Sequence, residues 1–362
     1  MQPRCLLPPY PAVEVIRRGF ELYGCMHAGV AGIFARMFCF ALKKGYLWKI
    51  KYRRMKRIVV IGSSNTDMVV KASHLPAAGE TVLGGEFMMN AGGKGANQAV
   101  AAARYGGRVT FVGRVGDDMF GRRTLEAMRQ DGIDTSCVAV DREHSSGIAL
   151  ISVNAEGENS IVVASGANMA LGREDIDRAA EEIRAADVVL MQLEVPVAVV
   201  EYAAEIAAEA GVPVILNPAP APAEVLRPEL LRHLYAITPN RSEAARISGI
   251  EVTDMTGARR AAEAIHAMGV RNVVITLGGD GSLIYDGGRF EYVDAFRVAA
   301  VDTTAAGDTY NGVLACCMAE GQGLVEAARE ASAAAAISVT RMGAQTAAPT
   351  RREVKEFLVN RE

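Results

Sequence analysis

Asp308 sits in the stretch "VDTTAAGDTYNGVLA", residues 301 to 315, where Ala305, Ala306 and Gly307 run into a carboxylate and then into an alanine-rich helical pattern. A helix N-terminus collects unpaired N–H groups and partial positive charge, so small residues there leave room for an anion. A carboxylate beside such a hole can take the proton of a hydroxyl that attacks a phosphate, while the amides stabilise the transferring charge. The same residues also fit a helix cap with Gly307 as the turn. Local sequence leaves both readings open.

Other polar groups recur where apolar runs end. "VIGSSNTD" supplies Asn65 and Asp67, "MQLE" supplies Glu194, "ITPNRSE" supplies Asn240 and Glu243, and "VDTTAAGD" adds Asp302. Any one of these is ordinary turn chemistry; their repetition at the ends of successive runs is harder to assign to turns alone. Two glycine-rich stretches join them. "NAGGKGANQAVAAARYGG" puts Gly92, Gly93 and Gly95 at the start of a helix, with Lys94 and Asn97 as hydrogen-bonding groups. It lacks the spacing of a Walker A loop, and "GSSNTD" lacks the glycines of a dinucleotide fingerprint. "TLGGDGS", residues 276 to 282, fits a phosphate cradle and a tight hairpin before "LIYDG" equally well.

These residues need a scaffold that delivers strand ends to one place. From residue 57, "RIVVI" reads as a buried strand; "DMVVKA", "GETVLGGEFMMNA", "SSGIALISVN" and "NSIVVASG" read as exposed or half-buried strands of a small sheet set apart from the core. After residue 170, helical patterns such as "REDIDRAAEEIRAA" and "GARRAAEAIHAMG" alternate with "DVVLMQLE", "VPVILNPA", "YAITPN" and "NVVITLGGDGS". That alternation predicts an α/β fold with a parallel sheet covered by helices on both faces, and ligands at the carboxyl ends of its strands.

Composition agrees with a globular enzyme of this class. The chain has 362 residues, 50% of them hydrophobic, and a net charge of −3. Thirty-six glycines and 6% aromatics favour tight loops over a stacking surface. Six cysteines without a CxxC pair imply neither a metal site nor a disulfide framework, and point to reduced, cytoplasmic thiols.

Taken together, "GSSNTD", "AGGKGANQAVAAARYG", "GDDMFG", "GENSIVVASGAN", "LMQLEVP", "LNPAPA", "ITPNRSEA", "ITLGGDGS", "VDTTAAGDTYNG" and "AAAAISVTRMGAQ" resemble, in order, the ribokinase family within the carbohydrate and nucleoside kinase superfamily of PfkB type. The resemblance covers residues 55 to 362 and implies a ribokinase-like three-layer α/β/α fold, with a mostly parallel central sheet and a small β-sheet lid mainly within 67–92 and 146–166. It implies ATP-dependent phosphorylation of D-ribose, with Asp308 as general base. Asn65, Asp67, Gly93, Lys94, Gly95, Ala96, Asn97 and Glu194 would hold the sugar. Asn240 and Glu243 would position the phosphates and the water shell of Mg²⁺, Thr276, Leu277, Gly278, Gly279, Asp280 and Gly281 would line the nucleotide site, and Gly307 would form the anion hole. Ser332 would lie near the adenine, in place of a larger polar residue. A potassium ion would sit at Asp302, Thr304, Ser338, Arg341, Gly343 and Ala347, where Ala347 replaces a frequent serine. A homodimer through the lid sheets is the family expectation.

Fructokinase, deoxyribokinase and nucleoside kinase activities would use the same machinery; "GGKGANQA" with "MQLE" favours ribose. A sugar-binding regulator would need a damaged base, anion hole or magnesium motif, and none is damaged. No basic, aromatic-interleaved surface suggests nucleic acid.

Residues 1 to 54 differ from the rest. Ten basic side chains against Glu14 and Glu21 give this segment +8, and with −3 for the whole chain the remainder carries −11. Its apolar run at 28 to 42 is broken by Arg36 and is shorter than the roughly 20 residues of a membrane span. A transit peptide and a membrane-touching amphipathic helix both compete with a non-native extension ahead of a start at Met55; the last is favoured because "MKRIVVIGSSNTD" opens as a strand-first domain. Deleting residues 1 to 54 is therefore expected to leave folding and activity intact, and a truncated protein that fails to fold would contradict it.

Overall fold

The computed structural model describes residues 56–361 apart from Ala223, and the expectations for residues 1 to 54 lie outside them. The described residues build a nine-stranded sheet and a separate four-stranded one. The large sheet contains β1 (Arg57–Ile61), β4 (Arg108–Gly116), β5 (Val138–Asp141), β8 (Val188–Met191), β9 (Val214–Leu216), β10 (Ala236–Ile237), β11 (Asn272–Thr276), β12 (Ser282–Tyr285) and β13 (Phe290–Val293). Its order is β13-β12-β11-β10-β9-β8-β1-β4-β5, parallel except for the β11-β12-β13 edge. The nine-residue β4 and the four-residue β5 and β13 have no counterpart among the strands expected from sequence.

Central strands are apolar over most of their length because both faces are covered. In β1, Ile58 and Val60 point to one helical layer while Val59 and Ile61 point to the other. β8 repeats the alternation, with Val188 and Leu190 on the first side and Val189 and Met191 on the second. One layer holds α1 (Lys94–Arg104), α8 (Ala306–Ala319), α9 (Leu324–Ser338) and α10 (Arg351–Val359). The other holds α3 (Arg173–Arg184), α4 (Val197–Glu209), α5 (Pro228–His233), α6 (Arg241–Ser248) and α7 (Met255–Ala267). Helix α2 (Met119–Gln130) follows β4, its N-terminus capped by Asp118.

The small sheet contains β2 (Asn65–Lys71), β3 (Phe87–Gly92), β6 (Gly147–Val153) and β7 (Asn159–Ala164), in the order β3-β2-β6-β7. β2 and β6 are parallel and the other pairs antiparallel. Of "GETVLGGEFMMNA", only the part from Phe87 is strand. Gly79 to Glu86 form a loop instead, with Gly79 at φ 81, a left-handed conformation that breaks strand pairing.

What places the catalytic candidates is the crossing of α1 and α8. A Cβ added at Gly312 would lie 2.5 Å from the Gln98 carbonyl oxygen and 2.7 Å from Ala101 Cβ, so the two backbones approach as closely as a hydrogen atom allows. The start of α1 is seated the same way. A Cβ on Gly95 would meet Gly62 C and Ser63 N at 2.7 Å, and one on Gly93 (φ 87) would meet Asn65 N at 2.6 Å. These glycines serve backbone packing between β1, β2 and α1. Replacing Gly312 by Ala, although it favours helix by propensity, should therefore destabilise the protein by about 1–3 kcal/mol in denaturant unfolding, because both neighbours are rigid.

Candidate active site

Asp308 is the third residue of α8 and not its cap. The cap position is Ala305, a non-glycine residue held at φ 55, and it offers no side-chain hydrogen bond to the first amides. Helices α2, α6, α7 and α10 carry side-chain caps from Asp118, Asn240, Asp254 and Thr350. A left-handed residue followed by right-handed turns makes a concave array of N–H groups. Gly307 borders open space, with no atom within 4 Å of where its Cβ would stand.

The Asp308 carboxylate turns into the protein and is 7% exposed. Asn97 donates to Oδ2 at 3.0 Å and Gln98 donates to Oδ1 at 3.0 Å. Burial raises its pKa above the usual carboxylate range; the Lys94 ammonium and the two amides pull it back, and the Glu194 charge pushes it up. Each oxygen keeps a lone pair for a further donor.

Glu194, in the turn after β8, accepts from the Ser63 hydroxyl at 2.5 Å and from the Lys94 backbone N–H at 3.1 Å. It thereby caps α1 from across the sheet, which places Lys94 at the helix mouth. Asp67 lies on β2, and Gly92 leaves its carboxylate room: a Cβ there would come within 2.1 Å of Oδ2. Burial, then Glu194 and Asp308, raise Asp67 to about 6. Asn65 is buried, and its Oδ1 accepts from Asn168 at 2.8 Å.

On the nucleotide side, Asn240 and Glu243 form a reciprocal capping box on α6, with Asn240 N–H to Glu243 Oε2 and Glu243 N–H to Asn240 Oδ1 both at 2.9 Å. Glu243 is 6% exposed and has a raised pKa, from burial first, and it feels the charges of Lys94 and Asp308. Thr276 bridges to Asn240, which puts the β11 turn beside this box. Leu277 is buried in the core, Gly281 packs against the Val293 carbonyl, and Asp280 pairs with Arg241 at 2.6 Å, whereas Gly278 and Gly279 face open space. Of the two readings of "GGDG", the hairpin is present, and two of its glycines border open space.

Asp302 accepts from Thr304 N–H at 2.9 Å and Gly343 N–H at 2.8 Å, tying the loop before α8 to the turn after α9. The Arg341 side chain pairs with Glu353, so that residue offers an ion only its backbone oxygen, while the Ser338 hydroxyl donates to the Ala335 carbonyl. Ala347 is buried and brings no side-chain donor. Ser332 is buried on α9 and Ala96 is buried in the core, its N–H bound to the Ser63 carbonyl.

Sequence reasoning passed over a set of buried amides. Gln192 donates to Gln98 Oε1 at 2.6 Å, Gln98 donates to Asn217 Oδ1 at 3.0 Å, and Asn217 donates to the Thr238 carbonyl at 3.0 Å. The Thr238 hydroxyl donates to Asn311 Oδ1 at 2.6 Å, and Asn311 donates to the Gly307 carbonyl at 2.8 Å. The signal was a polar residue inside "NQAV", "MQLE", "LNPA", "ITPN" and "TYNG", within otherwise apolar runs.

Residues 55–351 match the family described as pfkB family carbohydrate kinase. A ribokinase of Haemophilus influenzae is 45% identical over 303 residues, which cover 84% of this chain and 98% of that protein. A deoxyribokinase of Salmonella typhi is 38% identical over 301 residues, 83% of this chain and 98% of that protein. Among solved structures, Arabidopsis thaliana ribokinase complexed with ribose and ATP superposes with a TM-score of 0.78 at 33% identity, covering 84% of this chain and 98% of that one. The placement of an uncapped helix mouth, a buried carboxylate and a glycine-seated helix at the strand ends, with these likenesses along nearly the whole described chain, makes this protein a member of the pfkB family of carbohydrate kinases.

Proposed function

We propose that this chain transfers the γ-phosphoryl group of ATP to the 5-hydroxyl of D-ribose, with Asp308 as general base and the first turn of α8 as anion hole. The observation that carries the reading is the position of Asp308: a buried carboxylate held by two amide donors, one residue beyond the open Gly307 of an uncapped helix mouth. The sugar hydroxyl gives its proton to the free lone pair of Asp308 as its oxygen attacks the phosphorus; the bond to ADP breaks, and the α8 amides meet the charge on the transferring group. Lys94 adds positive charge on the same side.

Asn65, Asp67, Gly93 to Asn97 and Glu194 form the sugar pocket in this reading, Asp67 accepting from a pair of hydroxyls. Thr276 to Gly281, Gly307 and Ser332 take the nucleotide. Mg²⁺ would lie beside Asn240 and Glu243: Asn240 Oδ1 and Glu243 Oε2 are engaged in the capping box, which leaves Glu243 Oε1 to meet an ion through its waters. Such a site suits an ion that keeps its waters and binds chiefly to substrate phosphates, whose charge it would neutralise. Potassium would be held by Asp302 with the carbonyls of Thr304, Ser338, Arg341, Gly343 and Ala347, next to the loop that sets the α8 mouth.

The small sheet serves as lid and as the surface of a homodimer: Phe87, Leu150 and Val162 share one face of it and are each at least 54% exposed, an apolar patch that a second copy would cover. No helix among the described residues is long and apolar enough to cross a membrane, and a cytoplasmic location accords with the free thiols of Cys137 and Cys316. Deoxyribose is the second sugar to test, since a deoxyribokinase is among the relatives; the higher identity to a ribokinase favours ribose.

Turnover of ribose, deoxyribose, fructose and adenosine with ATP, with and without potassium, tests the assignment. Ribose should be best and potassium should raise the rate; Asp308→Asn should lose about 10²–10⁴-fold in kcat while still binding sugar. A mutant that keeps most of its rate would remove Asp308 from the chemistry. The raised pKa of Asp67 gives a separate outcome. Its ionised, accepting form is lost as pH falls through about 6, so ribose affinity measured by calorimetry should weaken by about tenfold per pH unit below that point. Asp67→Asn should abolish this dependence, and an unchanged profile in the mutant would assign it to another group.

A further inference from the structure

We propose that Gln98 is a positioning residue for the reaction, locked by Gln192 and Asn217 in the one amide orientation that presents N–H, and never C=O, to Asp308. The proposal rests on the reading of Asp308 as general base. One group in the network has a role that cannot be reversed: the Thr238 backbone carbonyl can only accept. Asn217 must therefore turn its Nδ2 towards it, at 3.0 Å, which turns Asn217 Oδ1 towards Gln98. Gln98 must in turn offer Nε2, and that same nitrogen reaches Asp308 Oδ1 at 3.0 Å. From the other end, Gln192 Nε2 fills Gln98 Oε1 at 2.6 Å.

Were the Gln98 amide turned over, its oxygen would face Asn217 Oδ1 and Asp308 Oδ1 together. That arrangement is tolerable only with a proton on Asp308, and a protonated base cannot take the substrate's proton. Gln98 and Gln192 are both fully buried, so water offers no substitute partner. The remaining charged groups around Asp308 are Lys94 on α1, Glu194 after β8, Asp67 on β2 and Glu243 on α6; Lys94 is the one that favours its ionised form. The amide donors thus supply the rest of the stabilisation of the carboxylate. Asn217 also leads, through Thr238 and Asn311, to the Gly307 carbonyl, so the network that orients the base also holds the anion-hole turn.

The test is the pH dependence of kcat for Gln98→Met, Gln98→Glu and Gln192→Met, alongside thermal unfolding and the ribose KM. Losing the donor raises the pKa of the base, and a base works only above its pKa, so the acid limb should move to higher pH by about one unit in Gln98→Met. It should move further in Gln98→Glu, where two carboxyls share a proton. Activity should recover at alkaline pH with the ribose KM there within about twofold of the parent. Gln192→Met touches neither Asp308 nor substrate; a shift in the same direction supports the lock, and it decides the matter if the Gln98 variants do not fold. Folded variants with the parent's acid limb overturn the proposal. An Asp308→Asn control that is inactive at every pH leaves the base reading standing in that case, whereas an active one removes the reading beneath the proposal.

Discussion

The crossing of α1 and α8 at Gly312 is the constraint from which the site follows. No Cβ fits between Gly312 and the Gln98 carbonyl, and it is this closeness that brings the first turns of two helices, from opposite ends of the chain, within hydrogen-bonding reach. Asn97 and Gln98 come from one helix and Asp308 from the other. A wider crossing would leave the carboxylate buried without donors, which costs several kcal/mol for a charge, or would neutralise it. The sheet beneath sets the position of both helices, since Ile58, Val60, Leu190 and Ile215 pack under them on one face.

The same closeness explains the division of labour among carboxylates. Asp67, Glu194 and Asp308 repel one another, and each is made tolerable differently. Glu194 is held by a hydroxyl and a helix N-terminus, Asp308 by two side-chain amides, and Asp67 has its pKa raised towards neutrality. Groups of one chemical type, pushed apart by their surroundings, can then take different roles. In this account Glu194 fixes the helix mouth, Asp67 recognises hydroxyls and Asp308 moves a proton.

Much of this was legible in the sequence. The βα alternation after residue 170 and the polar residues at strand ends follow from periodicity and turn chemistry, and they located Asn65, Asp67, Glu194, Asn240, Glu243 and Asp308. Local sequence could not separate a helix cap from a base at Asp308, because the distinction depends on Ala305 taking the cap position and on donors more than two hundred residues away. The glycines of "AGGKG" allow close approach of a ligand or of backbone, and Gly93 and Gly95 are spent on contact with the Gly62 to Asn65 backbone. The amides of Gln98, Gln192, Asn217 and Asn311 were invisible for a related reason: each belongs to a different element, and only folding shows that they form one network.

A crystal structure with ribose and a non-hydrolysable ATP analogue would test the central claim most directly. The account predicts the ribose 5-hydroxyl within hydrogen-bonding distance of an Asp308 oxygen, with the terminal phosphate over the amides of Ala306 to Asp308. A primary hydroxyl turned away from Asp308, or a terminal phosphate bound elsewhere than the α8 mouth, would contradict it.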